Sequence, residues 1–325
     1  DIAGSGENKF SIAFLHNDGM LSRTIIEEFN LPDLDAIPFP AREMFDNGAY
    51  KDYYRRRFGY TITPLMTSRG CPYNCDCCSR PVFGETYRAR SPRNVVDEIE
   101  EAMSLGYERI WFADDCFTLG RSRLMGICDE VIRRHLRLSW ECLSRVDSID
   151  GGVVDKMKRA GCVRLFFGIE SGNDSILALM KKRTTVAQAR RAVRLAKLSA
   201  IEVGAFFIIG YPGETDETIL DTVRFASSLP LDYLSFTLPY PIPGTPLYER
   251  VKDRLLDVEW ESPSHPGMIE HELLYRSPFS EAKLKVAIVK GYVQHYLRRH
   301  LGPYGYRLIG EPTEYITDHL FKALP

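Results

Sequence analysis

From about residue 62 onward, short apolar runs alternate with amphipathic stretches whose apolar residues recur every three or four positions. The stretch at 91–106 is typical, because Ser91 is a good N-cap residue and both Val95 and Ile99 fall on one helix face with Met103. The apolar runs predict six strands, at 64–70, 109–114, 138–145, 163–171, 203–210 and 231–239. The stretches between them predict helices at 91–106, 121–136, 151–160, 173–182, 186–200 and 214–228.

This strand–helix alternation predicts a parallel sheet, because a parallel neighbour is reached through a crossover helix. The strands are almost continuously apolar, as expected when both faces of a sheet are covered. Six units favour an α/β fold, a partial (β/α)6 TIM-type barrel open on one side, over a flat doubly wound sheet. In such a barrel, the residues that follow the strands gather at the carboxyl-terminal face, where active sites form.

Two flanking regions lack this alternation. Residues 1–60 form a lead-in, in which 12–24 predicts two short strands around an Asn-Asp-Gly turn. Residues 61–250 hold the barrel, and residues 251–325 form a mainly helical C-terminal extension with its clearest helix at 279–300. We therefore expect one barrel domain with an appendage at each end.

Composition and charge narrow the function classes. Charged residues make up 26% of the chain and the net charge is −2, without a block of Lys or Arg, which argues against nucleic acid as the partner. No apolar run reaches the roughly 18 residues of a membrane span. The 8 cysteines among 325 residues are too sparse for a disulfide framework, which favours a reducing, cytoplasmic location.

Four of these cysteines are crowded into RGCPYNCDCCSR at 69–80, directly after the first predicted strand. A disulfide knot, a zinc site and an iron–sulfur cluster are the alternatives. A structural zinc site usually takes two pairs of ligands, and the remaining cysteines lie singly. Three thiolates on one loop can hold three irons of a cluster and leave the fourth iron open for chemistry. The loop therefore predicts a catalytic iron–sulfur cluster, held through a C-x3-C-x2-C spacing or through one that uses Cys77.

The C-x3-C-x2-C spacing after a first strand resembles the signature of the radical S-adenosylmethionine (SAM) superfamily, and further phrases extend the resemblance over about residues 62–250. The resemblance implies a [4Fe-4S] cluster on Cys71, Cys75 and Cys78, with Cys77 as a spare thiol. Cys77 is a departure, because the family usually has an aromatic residue there that packs on the SAM adenine. The implied chemistry is reductive cleavage of SAM to a 5′-deoxyadenosyl radical that abstracts hydrogen from a substrate carbon. The implied electron donor is a protein such as flavodoxin or ferredoxin.

Three strand-end phrases, WFADDCF, FFGIESG and FFIIGYPGET, match positions at which the family binds the methionine amine, the ribose and methionine, and the adenine. Structural explanations compete with this one. An aspartate at a strand end can cap the next helix, Glu170 can pair with Arg145 or Arg164, and Glu214 can begin a helix. The residues implied as SAM contacts are, in chain order, Asp114, Asp115, Glu170, Ser171, Ile209, Gly210 and Tyr211.

The phrase DLDAIPFPARE ahead of the cysteines resembles the cobalamin-binding subgroup of the superfamily, in which it links an upstream cobalamin domain to the barrel. Residues 1–60 are too few for such a domain. Its D-x-H-x-x-G signature is also missing, because Phe14 stands two residues before His16. Cobalamin is therefore expected only if an upstream domain exists.

The resemblance leads us to expect an enzyme that acts on a small molecule of the sugar or natural-product kind without methyl transfer, for example by dehydration, decarboxylation or rearrangement. A cobalamin-dependent C-methyltransferase is the alternative. Transfer-RNA modification and a non-catalytic, metal-stabilised domain are further alternatives. Candidate substrate partners, chosen by their location alone, are Glu141, Arg145, Tyr240 and Tyr248.

Overall fold

The computed structural model describes residues 10–15, 21–26, 33–78, 84–256 and 272–324. The chain divides into two compact units, Asp1–Pro38 and Phe39–Pro325. In the first unit, β1 (Phe10–Leu15) and β2 (Leu21–Ile26) pair antiparallel, which confirms the two predicted strands. The turn that joins them, with His16, lies outside the described residues. The predicted boundaries at residues 60 and 250 stay predictions.

The second unit is built on six parallel strands, which confirms the predicted α/β fold. After the hairpin, the strands in chain order are β3 (Ile62–Leu65), β4 (Ser68–Arg69), β5 (Arg88–Ala89), β6 (Arg109–Phe112), β7 (Ser139–Ser144), β8 (Cys162–Glu170), β9 (Glu202–Ile208) and β10 (Tyr233–Thr237). All except β4 and β5 lie side by side in chain order, each parallel to the next. β3 and β10 form the two edges and do not pair with each other in the described part of the chain. The barrel is therefore open on that side, as predicted.

Helices cover the outside of this sheet and form most of the C-terminal extension. They are α1 (Asn47–Phe58), α2 (Pro92–Ser104), α3 (Arg121–Arg133), α4 (Gly151–Arg159), α5 (Asp174–Leu179), α6 (Val186–Leu198), α7 (Asp216–Ser228), α8 (Pro246–Val251), α9 (Glu281–Gly305) and α10 (Glu311–Ala323). Helices α2 to α7 connect consecutive barrel strands and confirm the predicted helices to within a few residues. The patterns did not predict α1, α8 and α10. None of the described helices is long and apolar enough to cross a membrane.

The first predicted strand, 64–70, is divided by a kink. β3 stays in the barrel sheet, whereas β4 leaves it and pairs antiparallel with β5. Asp114 causes the break, because its carboxylate accepts hydrogen bonds from the backbone amides of Thr67 and Ser68. The β4–β5 ribbon brings together the two ends of residues 70–87, here called the cysteine loop. Gly70 begins this loop at φ 80°, where an added Cβ would lie 2.3 Å from the Thr86 carbonyl oxygen.

Both faces of the sheet carry apolar side chains, as the continuous apolar runs predicted. Towards the helices, the buried rings of Phe112 and Phe117 stack with their centroids 4.0 Å apart, and the Trp140 ring meets both edge-on. Towards the barrel interior, the Phe166 ring stacks on Phe206 at 5.7 Å. The interior is therefore lined in its middle by aromatic rings.

A buried carboxylate, Glu98 on α2, links three segments of the barrel. Its side chain is 1% exposed. One of its carboxylate oxygens lies 2.6 Å from Arg42 Nη2, and the other forms an ion pair with Arg90. The same guanidinium groups donate to the carbonyl oxygens of Pro64 and Met66 at the end of β3. Glu98 therefore fixes the strand from which the cysteine loop begins.

We predict that Glu98→Gln lowers the free energy of unfolding by about 3 kcal/mol, because two buried guanidinium groups lose their counter-charge. The denaturant midpoint measures this loss. The matched control is Glu100→Gln on the same helix, whose side chain is 46% exposed in its pair with Arg134. This control should cost less than about 1 kcal/mol. Equal losses in the two variants would contradict the assigned role of Glu98.

Candidate active site

The cysteine loop lies at the carboxyl-terminal face of the barrel, where the sequence predicted the site. Cys71 is buried, and its backbone amide donates to the Gly84 carbonyl across the base of the loop, over 3.3 Å. Cys75 and Cys78 are half-buried, and the amide of Cys78 donates to the Cys75 carbonyl, also over 3.3 Å. This turn places the second and third signature cysteines on one tight bend.

The donor set of this loop fits the cluster that its spacing predicts. None of the 8 cysteines forms a disulfide bond. In the described ranges, no three His, Cys, Asp or Glu side chains converge on one metal ion. A single zinc ion needs such convergence, whereas a cluster takes each thiolate on a different iron. Three soft thiol donors distributed over one loop therefore suit an iron–sulfur cluster.

A fully buried carboxylate inside the loop, Asp76, ties it to neighbouring elements. Its Oδ2 accepts from the Tyr211 hydroxyl over 2.5 Å and from Arg250 over 2.8 Å. Lys181 lies 3.5 Å from Oδ1, and the Asp76 carbonyl accepts from the amide of Leu247 over 3.0 Å. The loop is therefore held against the β9 end, the segment after α5, and α8.

Arg145, at the end of β7, contacts the other side of the loop. Its Nη1 donates to Cys75 Sγ over 3.8 Å, and its guanidinium carbon lies 3.6 Å from the centroid of the Tyr73 ring. It also forms a fork with Asp147 and donates to the Lys182 carbonyl over 2.9 Å. Burial works against its charge, but the Asp147 carboxylate outweighs this effect and raises the pKa of Arg145. Arg145 was predicted as a substrate partner; it makes four hydrogen bonds within the protein, and that prediction stays untested.

At the end of β8, Glu170 pairs with a residue that the sequence patterns did not suggest. Its Oε1 lies 2.9 Å from Lys182 Nζ, so the expected partners Arg145 and Arg164 are wrong. Glu170 has φ 73°, which is uncommon for a residue other than glycine and is often found at functional sites. Burial works against the charge of Lys182, and Glu170 together with the nearby Cys75 raises its pKa.

The other residue implied at this strand end, Ser171, contacts a neighbouring helix. Ser171 is fully buried, and its Oγ lies 3.0 Å from the Thr222 Oγ1 on α7. The Ser171 hydroxyl group thus joins this strand end to α7, and its implied SAM contact stays a prediction.

The two aspartates at the end of β6 have different environments. Asp114 is buried, bonded to the Thr67 backbone and hydroxyl and 3.7 Å from Arg123. Asp115 is exposed and makes no hydrogen bond within the described residues. Desolvation raises the pKa of Asp115, and the neighbouring Asp114 charge adds to the shift. Neither aspartate caps α3, whose N-cap is Gly120. Of the two, Asp115 is the carboxylate available to an ammonium group.

The backbone at the end of β9 is held by a buried glutamate. Glu214 Oε2 accepts from the amides of Gly210 and Tyr211, over 2.6 and 2.8 Å. The Tyr275 hydroxyl donates to the Gly210 carbonyl over 3.0 Å, and the Ile209 amide is bonded within the sheet. Burial raises the pKa of Glu214 to about 8, although the two amides oppose the shift. Its Oε1 is buried without a hydrogen-bond partner. Glu214 therefore shapes this turn and does not begin α7, whose N-cap is the next residue.

Cys77, the spare thiol, packs against the hydrophobic core. Burial raises the pKa of its thiol, and the Glu170 carboxylate adds to the shift. Burial raises the pKa of Cys71 as well, but there the Arg145 charge opposes the shift. The assignment of Cys77 as the spare thiol stays a prediction.

Glu141 does not join this group. It lies four residues before Arg145, a distance of roughly 13 Å along an extended strand, and its Oε2 pairs with Arg164 over 2.7 Å. Both side chains line a cavity of about 410 Å³ with rings that include Trp111. Tyr240 is exposed in the loop after β10, and Tyr248 lies in α8. Their assignment as substrate partners stays a prediction.

Sequence reasoning missed three residues that hold the site: Asp76, Lys182 and Tyr73. Two of them carried a signal. A charged residue within a run of cysteines is unusual for an exposed loop that only binds metal, and Lys182 stands in the basic tripeptide KKR at 181–183. Tyr73 carried none, because its role depends on Arg145, which lies 72 residues further along the chain.

The family model described as the Radical SAM superfamily matches residues 65–226. The chain is 34% identical to an uncharacterized methyltransferase of Pyrococcus horikoshii, over 82% of this chain and 57% of that protein. It is 28% identical to the anaerobic magnesium-protoporphyrin IX monomethyl ester cyclase of Cereibacter sphaeroides, over 94% of this chain and 49% of that protein. The chain thus spans about half the length of the curated relatives it matches.

One similar solved structure contains bound cofactors. TsrM from Kitasatospora setae, a radical S-adenosylmethionine methyltransferase with cobalamin and a [4Fe-4S] cluster bound, superposes with a TM-score of 0.58. Its sequence is 26% identical, and the match covers 62% of this chain and 38% of TsrM.

We predict that Glu214→Gln removes a pH dependence of stability. A carboxyl group with a folded pKa near 8 and an unfolded pKa near 4.3 stabilises the fold least above pH 8. Its contribution is fully present below pH ~4 and is lost as the pH rises through the folded pKa. From pH 6 to pH 8.5, the denaturant midpoint of the wild type should therefore fall relative to that of Glu214→Gln. A difference that stays constant over this range would show that the carboxyl group ionises normally.

Proposed function

Because the chain belongs to the radical SAM superfamily, we propose that it forms the catalytic barrel of a cobalamin-dependent enzyme that transfers a methyl group to a carbon atom of a small molecule. The observation that carries the proposal is the cysteine loop, fixed at the carboxyl-terminal face in a chain that resembles methyltransferases along most of its length. TsrM, with its bound cobalamin, supports the cobalamin requirement. In this chain, cobalamin would be supplied by an upstream domain.

This proposal replaces the expectation of a non-methylating reaction. That expectation rested on the cobalamin signature missing from residues 1–60. The similarity to proteins named as methyltransferases supports the alternative better. The chain is also similar to a cyclase. The experiment below therefore has to distinguish methyl transfer from ring formation without methyl transfer.

We propose Cys71, Cys75 and Cys78 as the ligands of the [4Fe-4S] cluster. When bound, the cluster and SAM supply one-electron cleavage of a sulfur–carbon bond and thereby a radical that can take hydrogen from carbon. The protein would hold the cluster on one face of the loop, while Arg145 and Asp76 keep the loop fixed from two sides. An electron donor such as flavodoxin or ferredoxin is part of the proposal.

The neighbouring strand ends provide groups for SAM. The Asp115 carboxylate, which is exposed and has no hydrogen-bond partner among the described residues, suits the methionine ammonium group. The Glu170–Lys182 pair, 2.9 Å apart, offers one charge of each sign beside the loop, which suits a zwitterionic amino acid. Glu214 would act indirectly, because it fixes the Gly210 and Tyr211 backbone that faces the adenine in the implied arrangement.

We predict that Ala substitution at Cys71, Cys75 or Cys78 abolishes cluster binding, because each removes one iron ligand. Cys77→Ala should retain the cluster, because Cys77 packs against the core. Iron and sulfide content and the visible absorption after anaerobic reconstitution measure the result. A cluster retained in Cys75→Ala, or lost in Cys77→Ala, would contradict the ligand assignment.

Methyl transfer predicts a specific pair of products from SAM. Each turnover should yield S-adenosylhomocysteine, from donation of the methyl group, and 5′-deoxyadenosine, from radical cleavage. With methyl-deuterated SAM, added cobalamin and a metabolite extract, mass spectrometry should find a small molecule that carries the labelled methyl group. Labelled product should be missing without cobalamin. Formation of 5′-deoxyadenosine with only unlabelled products would favour cyclisation or another non-methylating reaction.

A further inference from the structure

We propose that Arg145 is a positioning residue that raises the reduction potential of the cluster held by the cysteine loop. The proposal rests on the ligand assignment above and not on methyl transfer. Its starting observation is the contact of 3.8 Å between Arg145 Nη1 and Cys75 Sγ. Arg145 is 6% exposed, so water screens its charge only weakly.

The orientation of the guanidinium group is fixed on every side. Nε and Nη2 donate to the two oxygens of Asp147 over 2.9 and 2.8 Å, and Nη2 also donates to the Lys182 carbonyl. The guanidinium group lies over the Tyr73 ring, 3.6 Å from its centroid. Since Tyr73 and Cys75 both belong to the cysteine loop, a single guanidinium group holds the loop at two points. These contacts keep the Nη1 edge of the guanidinium group directed towards the Cys75 sulfur.

Two physical effects of this arrangement have the same sign. A cluster with thiolate ligands becomes more negative when it accepts an electron, so a fixed cation beside it favours the reduced form. A hydrogen bond to a ligand sulfur withdraws charge from the cluster and also favours the reduced form. Asp147 opposes the first effect, but it meets the Nε and Nη2 edge of the guanidinium group and not the Nη1 edge that faces Cys75.

Removal of the Arg145 charge and removal of the Asp147 charge should shift the midpoint potential of the cluster in opposite directions. Arg145→Met removes the cation and the sulfur hydrogen bond, so the midpoint should become more negative. At the wild-type midpoint, we expect the ratio of reduced to oxidised cluster to fall about tenfold, which is about 59 mV for a one-electron couple. Asp147→Asn removes the opposing charge and keeps one of the two acceptor oxygens, so its midpoint should become more positive, by a smaller amount.

The experiment is an anaerobic dithionite titration of the reconstituted protein, followed by electron paramagnetic resonance and normalised to iron and sulfide content. Arg42→Met is the matched control, because Arg42 is 7% exposed and pairs with Glu98 on α2. Its midpoint should equal that of the wild type. The titration needs no substrate, so its result is independent of whether methyl transfer is the reaction.

A purely structural role for Arg145 would lower the amount of cluster without moving its midpoint, and that result would overturn the proposal. So would a shift in Arg42→Met as large as that in Arg145→Met. If Arg145→Met does not assemble a cluster, Arg145→Lys and Asp147→Asn decide the question. The lysine variant keeps the charge but loses the fork, so its midpoint should lie below that of the wild type. Wild-type midpoints in both variants would refute the proposal.

Discussion

The geometry of the cysteine loop depends on the ion pairs and the hydrogen bond of one buried carboxylate, that of Asp76. A loop of this length has no core of its own, and an isolated buried charge would be costly. Asp76 is fully buried, but Arg250 and Lys181 supply opposite charge and Tyr211 donates a hydrogen bond. Removal of any one partner leaves the charge less compensated. The position of the loop therefore depends on the end of β9, the segment after α5 and helix α8.

The parallel sheet brings these partners together. All six strands run in one direction and in chain order, so every segment that follows a strand emerges on the same face. Two of these segments contain a carboxylate that accepts hydrogen bonds from backbone amides. Asp114 turns the chain out of β3, and Glu214 holds the turn after β9. The backbone at these two strand ends is thus held by hydrogen bonds within the protein before a cofactor binds.

The sequence predicted the repeated parts of this fold well and its exceptions poorly. Apolar periodicity located the strands and connecting helices because burial on both sheet faces dictates it. Helix α1 was missed because its mean composition is polar, although Tyr50, Tyr54 and Phe58 recur at a helical spacing. The kink after β3 and the Glu170–Lys182 pair were missed for a different reason. They depend on hydrogen bonds between residues distant in the chain, which periodicity does not record.

The same distinction applies to the substrate partners, which were predicted from location alone and stay predictions. Glu141 and Arg145 were chosen because they lie on or directly after β7, yet each is engaged by other protein groups, Arg164 in one case and Asp147 in the other. Next to the cysteine loop, Arg145 and Lys182 likewise have carboxylate partners, Asp147 and Glu170. A negatively charged cluster would therefore enter surroundings whose charges are already balanced in pairs. Its stabilisation would come from the direction in which fixed groups point, such as the Nη1 edge of Arg145 that faces Cys75 while Asp147 meets the other edge, and not from a surplus of positive charge.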